Sequence, residues 1–257
     1  MRIFPLHLER LVSTVARRKI VFIIVEGMSD KAALENFFTQ LYNKSTVFIK
    51  VRHGDITSDD NVSLTEVINK TTDIVKKYAN EVHLKNSNFQ QIIHLIDTDG
   101  TYIPDDCVVK DDIHVNPFYT HKSILTKYPQ EIILRNKAKK EKMNRLYQQE
   151  KIWDIPYQCY YMSCNLDHVL YDKQNPSCID RKEIEFEKIS DALEFAELYM
   201  DRPIECADFF MKSPFSVCDD FIQSWRFIQV GTHSLERYTN LGIALKDIIS
   251  TYKNSLK

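Results

Sequence analysis

Ile20-Val21-Phe22-Ile23-Ile24-Val25-Glu26-Gly27-Met28-Ser29-Asp30 decides how this chain is read. Six apolar, largely β-branched residues without alternation form a strand buried on both faces. The strand ends in a carboxylate, a glycine and a second acid at a helix start. Ser29 or Asp30 caps that helix, and Leu34, Phe37, Phe38 and Leu41 follow at the spacing of one helical face. The pattern returns at Ile92-Ile93-His94-Leu95-Ile96-Asp97-Thr98-Asp99-Gly100. Again an apolar run delivers acids at its C-terminal end.

Between these runs, Val47 to Val51 reads as a second strand. Ser63 opens a helix to about Tyr78, with Glu66 as the acid of a capping box. The order is β-α-β-α-β, with helical connections long enough for parallel crossovers. Ligands of such sheets gather outside the carboxyl ends of the strands. Glu26, Asp97 and Asp99 are therefore expected to meet there. If the chain stays extended through Asp99, Asp97 and Asp99 leave the same face, while Gly27 and Gly100 allow tight turns beside the acids. Grouped carboxylates of this kind suit Mg²⁺ or Mn²⁺, hard cations with oxygen ligands. Helix capping for Asp30 and a plain turn for Asp97–Gly100 are the structural alternatives.

The chain has 257 residues, 44% of them hydrophobic and 27% charged, with a formal net charge of -2. That is the composition of a globular protein with a sizeable core, and it carries no global basic field for nucleic acid. Six cysteines without a CxxC pair read as reduced thiols. No apolar run is long enough for a membrane span, so a cytoplasmic location without membrane partners is expected. One local patch is basic: residues 122–151 carry nine Lys/Arg against three Glu. Its stretch 130–149 reads as a helix. There Lys137, Lys139, Lys140 and Arg145 are the candidates for gripping a phosphate backbone, with Tyr128, Tyr147 and Trp153 placed to stack on bases. A further strand is expected at 111–118 and another at 158–162. Helices are expected at 190–200, 216–229 and 234–252.

The E-G after the first strand and the D-x-D after a later one, here Glu26-Gly27 and Asp97-Thr98-Asp99, make the chain resemble the toprim family. The form VEGMSD is most similar to toprim nucleases of the overcoming-lysogenization-defect class and related bacterial defence nucleases. The resemblance covers roughly residues 19–125. It implies an α/β fold with a toprim-like parallel sheet flanked by helices. The division would be an N-terminal arm at 1–19, a catalytic domain at 20–175 with the basic helical insertion around 122–151, and a mainly helical C-terminal region at 176–257. It also implies metal binding by Glu26, Asp30, Asp97 and Asp99, with a looser match that adds Asp167. Glu26 is alternatively a general acid/base. The implied activity is phosphodiester hydrolysis in DNA or RNA by an anti-phage effector, with an ATPase partner and a homo-oligomer as possible assemblies. An RNA- or tRNA-cleaving toxin or processing enzyme, and a non-catalytic toprim-like interaction subunit, are the rival expectations.

Overall fold

The computed structural model describes residues 19–42, 47–53, 56–217 and 220–255. The arm expected at 1–19 lies outside them except for Lys19, which opens the first strand. In chain order the elements are β1 (Lys19–Val25), α1 (Met28–Leu41), β2 (Val47–His53), α2 (Val67–Glu81), β3 (Phe89–Asp97), β4 (Val108–Lys110), β5 (Phe118–Tyr119) and β6 (Ile124–Thr126). Then follow α3 (Pro129–Tyr147), β7 (Lys151–Ile152), β8 (Ile155–Met162), α4 (Leu166–Tyr171), α5 (Arg181–Leu198), α6 (Pro203–Lys212), α7 (Phe221–Ile228) and α8 (Leu241–Ser255).

A five-stranded sheet in the order β2-β1-β3-β8-β7 forms the centre. Its first four strands are parallel, and β7 joins as an antiparallel edge. Each parallel step needs a crossover, which the helices supply. Because β2 and β3 lie on opposite sides of β1, the winding direction reverses there. That reversal opens a crevice at the carboxyl ends of β1 and β3.

Both faces of the sheet are covered, which is why its strands read as unbroken apolar runs. Val21, Ile23 and Val25 point to a core completed by α1, α5, α6 and α8. Phe22 and Ile24 point the other way, to Val67, Val75, Met143, Leu146 and Trp225 from α2, α3 and α7. Each such side chain contributes about 1.5–3 kcal/mol on burial. The C-terminal helices thus complete both layers around one sheet.

Beside the crevice lies a small three-stranded sheet, β4-β6-β5. The strand expected at 111–118 is instead a turn between β4 and β5. Asp111 accepts from the Ile113 amide at 2.8 Å and faces His114 Nδ1 at 2.7 Å, so a local Asx turn competes with pairing. Ile113 and Val115, the residues that suggested a strand, are exposed. The helices expected at 190–200, 216–229 and 234–252 occur as α5, α7 and α8 with different bounds, and α6 at Pro203–Lys212 was not expected. Cys107, Cys159, Cys164, Cys178 and Cys206 are free thiols. Among the described residues no helix is long and apolar enough to cross a membrane.

Candidate functional site

Glu26 follows β1 directly and is buried at the crevice. Ile24 pairs with His94 in parallel register, so Glu26 stands level with Ile96, next to Asp97 at the end of β3. Asp97 in turn pairs with Met162 at the end of β8. Beyond that pair the chain is stitched rather than free. The Asp99 amide donates to the Cys164 carbonyl at 2.7 Å, the Cys164 amide to Thr98 Oγ1 at 2.8 Å, and Thr98 Oγ1 to the Ser234 carbonyl at 2.8 Å. These bonds satisfy the turn's buried polar groups.

The chain does not stay extended through Asp99. Asp99 has φ of 48° and Gly100 66°, both left-handed. Asp97 and Asp99 therefore do not share a strand face. Asp99 is returned to the acid cluster by a cation. Lys139 Nζ lies 2.5 Å from Asp99 Oδ2 and 3.6 Å from Glu26 Oε2. Sharing one nitrogen at 2.5 and 3.6 Å, the two carboxylate oxygens are at most about 6 Å apart. Gly27 plays a smaller part than expected. Its φ of −121° is open to any residue, and its amide donates to Asp30 Oδ2 at 2.9 Å. Asp30 thus caps α1 as well as facing the acids. Gly100 is needed for two reasons, its positive φ and a neighbour, since a Cβ there would sit 2.5 Å from Leu235 Cδ2.

The basic helix divides by face. Arg135, Lys139 and Lys142 stand at i, i+4 and i+7, on the same stripe as the buried Ile132, Asn136, Met143 and Leu146. Arg135 donates to the Asp99 carbonyl at 2.9 Å and to the Tyr119 hydroxyl at 3.0 Å. Lys142 donates to the Asp59 carbonyl at 2.7 Å. Lys139, expected among the residues that hold a nucleic acid, is instead buried inside the acid cluster, because helical periodicity turns it inward. Lys137, Lys140 and Arg145 are exposed on the outward face, with Lys137 2.9 Å from Asp105. Tyr147 stacks on Trp225 at 4.6 Å between centroids, and Trp153 packs near Phe89, so neither ring is free for bases. Tyr128 remains exposed.

Asp167, in the first turn of α4, joins the same rim. Asn165 caps that helix through the His168 amide at 2.9 Å, and Lys188 from α5 lies 3.2 Å from Asp167. Asp97, Asp99 and Asp167 line a cavity of about 250 Å³ walled by Lys188, Glu187 and Asp191. Lys173 pairs with Glu187, and with Asp191 at 2.8 Å. His94 is buried and bonded to Tyr157 at 2.8 Å, a structural role.

The electrostatics show an excess of acid. Burial, then the neighbouring Asp30, Glu26 and Asp99, raise the Asp97 carboxyl well above its ordinary range. Burial also raises Asp30, with Asp167 adding to it. Asp99 goes the other way: burial pushes it up, but Lys139 and Arg135 outweigh that and hold it low. Lys139 is raised by Asp99 and Glu26 against the opposing effect of burial. Five carboxylates thus face the two ammonium groups Lys139 and Lys188 and the Arg135 guanidinium.

No protein-family model, curated protein or solved structure matches this chain.

Among the described residues, no three acid, imidazole or thiol groups stand preassembled as metal ligands. Lys139 holds Asp99 and Glu26 around its own charge. Even so, the donor set fits a hard divalent ion. The ligands are oxygens, and no side chain among the described residues donates a hydrogen bond to the Asp97 carboxyl. That raised, cavity-lining carboxyl has the surplus charge a cation would neutralise. The sequence does not single out Arg135, Lys142, Lys188 and Thr57 as site residues, and it assigns Lys139 to the phosphate-gripping set rather than to the acid cluster. The i, i+4, i+7 spacing of Arg135, Lys139 and Lys142 within an apolar stripe was the available signal for these three.

Proposed function

We propose that this protein is a divalent-metal-dependent nuclease with a toprim-like core, hydrolysing phosphodiester bonds in DNA or RNA. The observation that carries the reading is the meeting of Glu26, Asp97 and Asp99 at the crevice where the sheet reverses direction, around a buried ammonium. Glu26, Asp97 and Asp99 would hold Mg²⁺ or Mn²⁺, with Asp30 and Asp167 beside them. When bound, the ion supplies charge neutralisation at the attacked phosphate and acidifies water.

The chain's own residues do the rest. Thr57 Oγ1 donates to Glu26 Oε1 at 2.8 Å and fixes that carboxylate's orientation. Its other oxygen faces Lys139, so Glu26 is placed to take or return a proton. Lys139 and Arg135 hold Asp99 ionised. Lys188, across the cavity, offers positive charge to phosphate oxygens. Lys137, Lys140 and Arg145 on the outward side of α3 would hold the strand backbone. Service as an anti-phage effector beside an ATPase partner follows from the family resemblance.

A second reading is a toprim-like interaction subunit whose acids are permanently neutralised within the fold. The position of the Lys139 ammonium between Asp99 and Glu26 favours it. One experiment separates the two. The purified chain is incubated with Mg²⁺ or Mn²⁺ and mixed DNA and RNA, beside Glu26→Gln and Asp97→Asn variants. Metal-dependent cleavage lost in both variants supports the nuclease. Equal, metal-insensitive activity in all three rejects it. Cleavage confined to RNA assigns the site to RNA or tRNA processing.

A further inference from the structure

The loop at 232–239, between α7 and α8, lies far beyond the stretch that resembles toprim, yet it is bonded at several points to the turn that carries the acids. The Ser234 carbonyl accepts from Thr98 Oγ1 at 2.8 Å and from the Cys164 amide at 3.1 Å. Ser234 Oγ accepts from the Tyr102 amide at 3.2 Å. The His233 carbonyl accepts from Ser163 Oγ at 2.8 Å, and the Tyr238 carbonyl from the Ser163 amide at 2.8 Å. Thr98 and Ser163 directly follow the ends of β3 and β8. Thr98, Ser163 and Ser234 are fully buried, so water does not compete for these bonds.

What the loop holds is strained. Asp99 and Cys164 have φ of 48° and 57°, a left-handed region that residues other than glycine seldom adopt. They are bonded to each other, the Asp99 amide donating to the Cys164 carbonyl at 2.7 Å. Backbone of this kind persists only where its surroundings over-determine it, and it clusters at functional sites. The Thr98 hydroxyl is the hub. It accepts from the Cys164 amide at 2.8 Å while donating to the Ser234 carbonyl. One side chain thus joins the ends of two strands to a loop 136 residues further along the chain.

We infer that Thr98, with the loop around Ser234, is a positioning element of the acid site. Together they hold Asp99 in the left-handed pose that aims its carboxylate at Lys139 and leaves Asp97 and Asp99 lining one cavity. Without the hydroxyl, the Cys164 amide and the Ser234 carbonyl each lose one buried bond. The turn is then free to relax toward an extended path, which moves the Asp99 carboxylate off Lys139. The inference rests on the nuclease reading and extends that site into the C-terminal region.

The test is Mn²⁺ binding to the full chain by titration calorimetry, without nucleic acid, for the wild type and four variants. Thr98→Val removes the hydroxyl at nearly constant volume, and Thr98→Ser keeps it. Ile249→Val trims a buried side chain of α8 and touches none of these bonds, so it controls for lost stability. Ser163→Ala cuts the tether to the His233 carbonyl and carries the test if Thr98→Val does not fold. Thr98→Val should weaken Mn²⁺ binding by about 10- to 100-fold, the usual effect of removing a partner that orients a ligand. Ser163→Ala should change it in the same direction, and Thr98→Ser and Ile249→Val should bind as the wild type does. Unchanged binding in Thr98→Val or in Ser163→Ala, or a loss that Thr98→Ser does not restore, overturns the inference and leaves the nuclease reading standing. A wild type that takes up no Mn²⁺ removes both.

Discussion

The Lys139 ammonium lies 2.5 Å from Asp99 Oδ2, with the lysine side chain 1% exposed. Forty residues separate the two in sequence, and a helix and a strand end bring them together. A buried lysine is tolerated only when paired, and here one cation ties Asp99 and Glu26 into the crevice.

Removing that cation leaves buried acids without compensation. Lys139→Met should lower stability by roughly 3–5 kcal/mol, the usual cost of breaking a buried pair. Adding Asp99→Asn should recover part of the loss. Denaturant titrations of the two single variants and the double give the coupling, and strictly additive losses would refute the pairing.

Thr57 is buried and donates to Glu26 Oε1 at 2.8 Å. Thr57→Val removes the donor at nearly constant volume, at a cost of about 1–3 kcal/mol. As a positioning residue for a carboxylate ligand, it should lower metal affinity or cleavage by about 10- to 100-fold. Thr57→Ser should restore both, which a purely steric role would not predict.

Stability should fall in acid, and His94 is one cause. Burial holds its imidazole down to about 3, against an ordinary value of 6.5. With its folded value depressed, the unfolded chain takes the proton first. Stability is therefore lost as pH drops below 6.5, continuing toward 3, by up to about 1.4 kcal/mol per pH unit. Asp97 acts oppositely. Its raised carboxyl is destabilising when ionised, so Asp97→Asn should raise the melting temperature near neutral pH and give no gain in acid. Melting curves across pH for the wild type, His94→Gln and Asp97→Asn check both signs.

Gly100 and Gly231 both have positive φ, 66° and 55°, but only Gly100 is crowded. Gly231→Ala should cost about 1–2 kcal/mol, the backbone penalty alone. Gly100→Ala meets Leu235 as well and should cost more. Leu235→Ala in the Gly100→Ala background should relieve the steric part, as measured by thermal unfolding.

On the outward face of α3, Lys137→Ala, Lys140→Ala and Arg145→Ala should each weaken nucleic-acid binding about equally for all sequences. Each should also reduce the slope of log affinity against log salt by about 0.9 on duplex DNA. Fluorescence anisotropy at several salt concentrations measures this, and unchanged slopes would place the nucleic acid elsewhere.

The chain's one-dimensional order determined the α/β alternation, because strands buried on both faces must be unbroken apolar runs and helices must repeat their apolar positions. Ile20–Val25 and Ile92–Ile96 could be read that way directly, and so could the acids that end them. Tertiary structure alone decided what surrounds those acids. Asp99 leaves the extended path because its amide is claimed by Cys164, a partner 65 residues away that no local preference reveals. Lys139 read as one of the phosphate-gripping members of a basic run, whereas the fold turns it onto the carboxylates. Local propensity acts over a few residues, whereas the protonation state of Asp97 and the burial of Lys139 depend on which distant charges the closed sheet brings within reach.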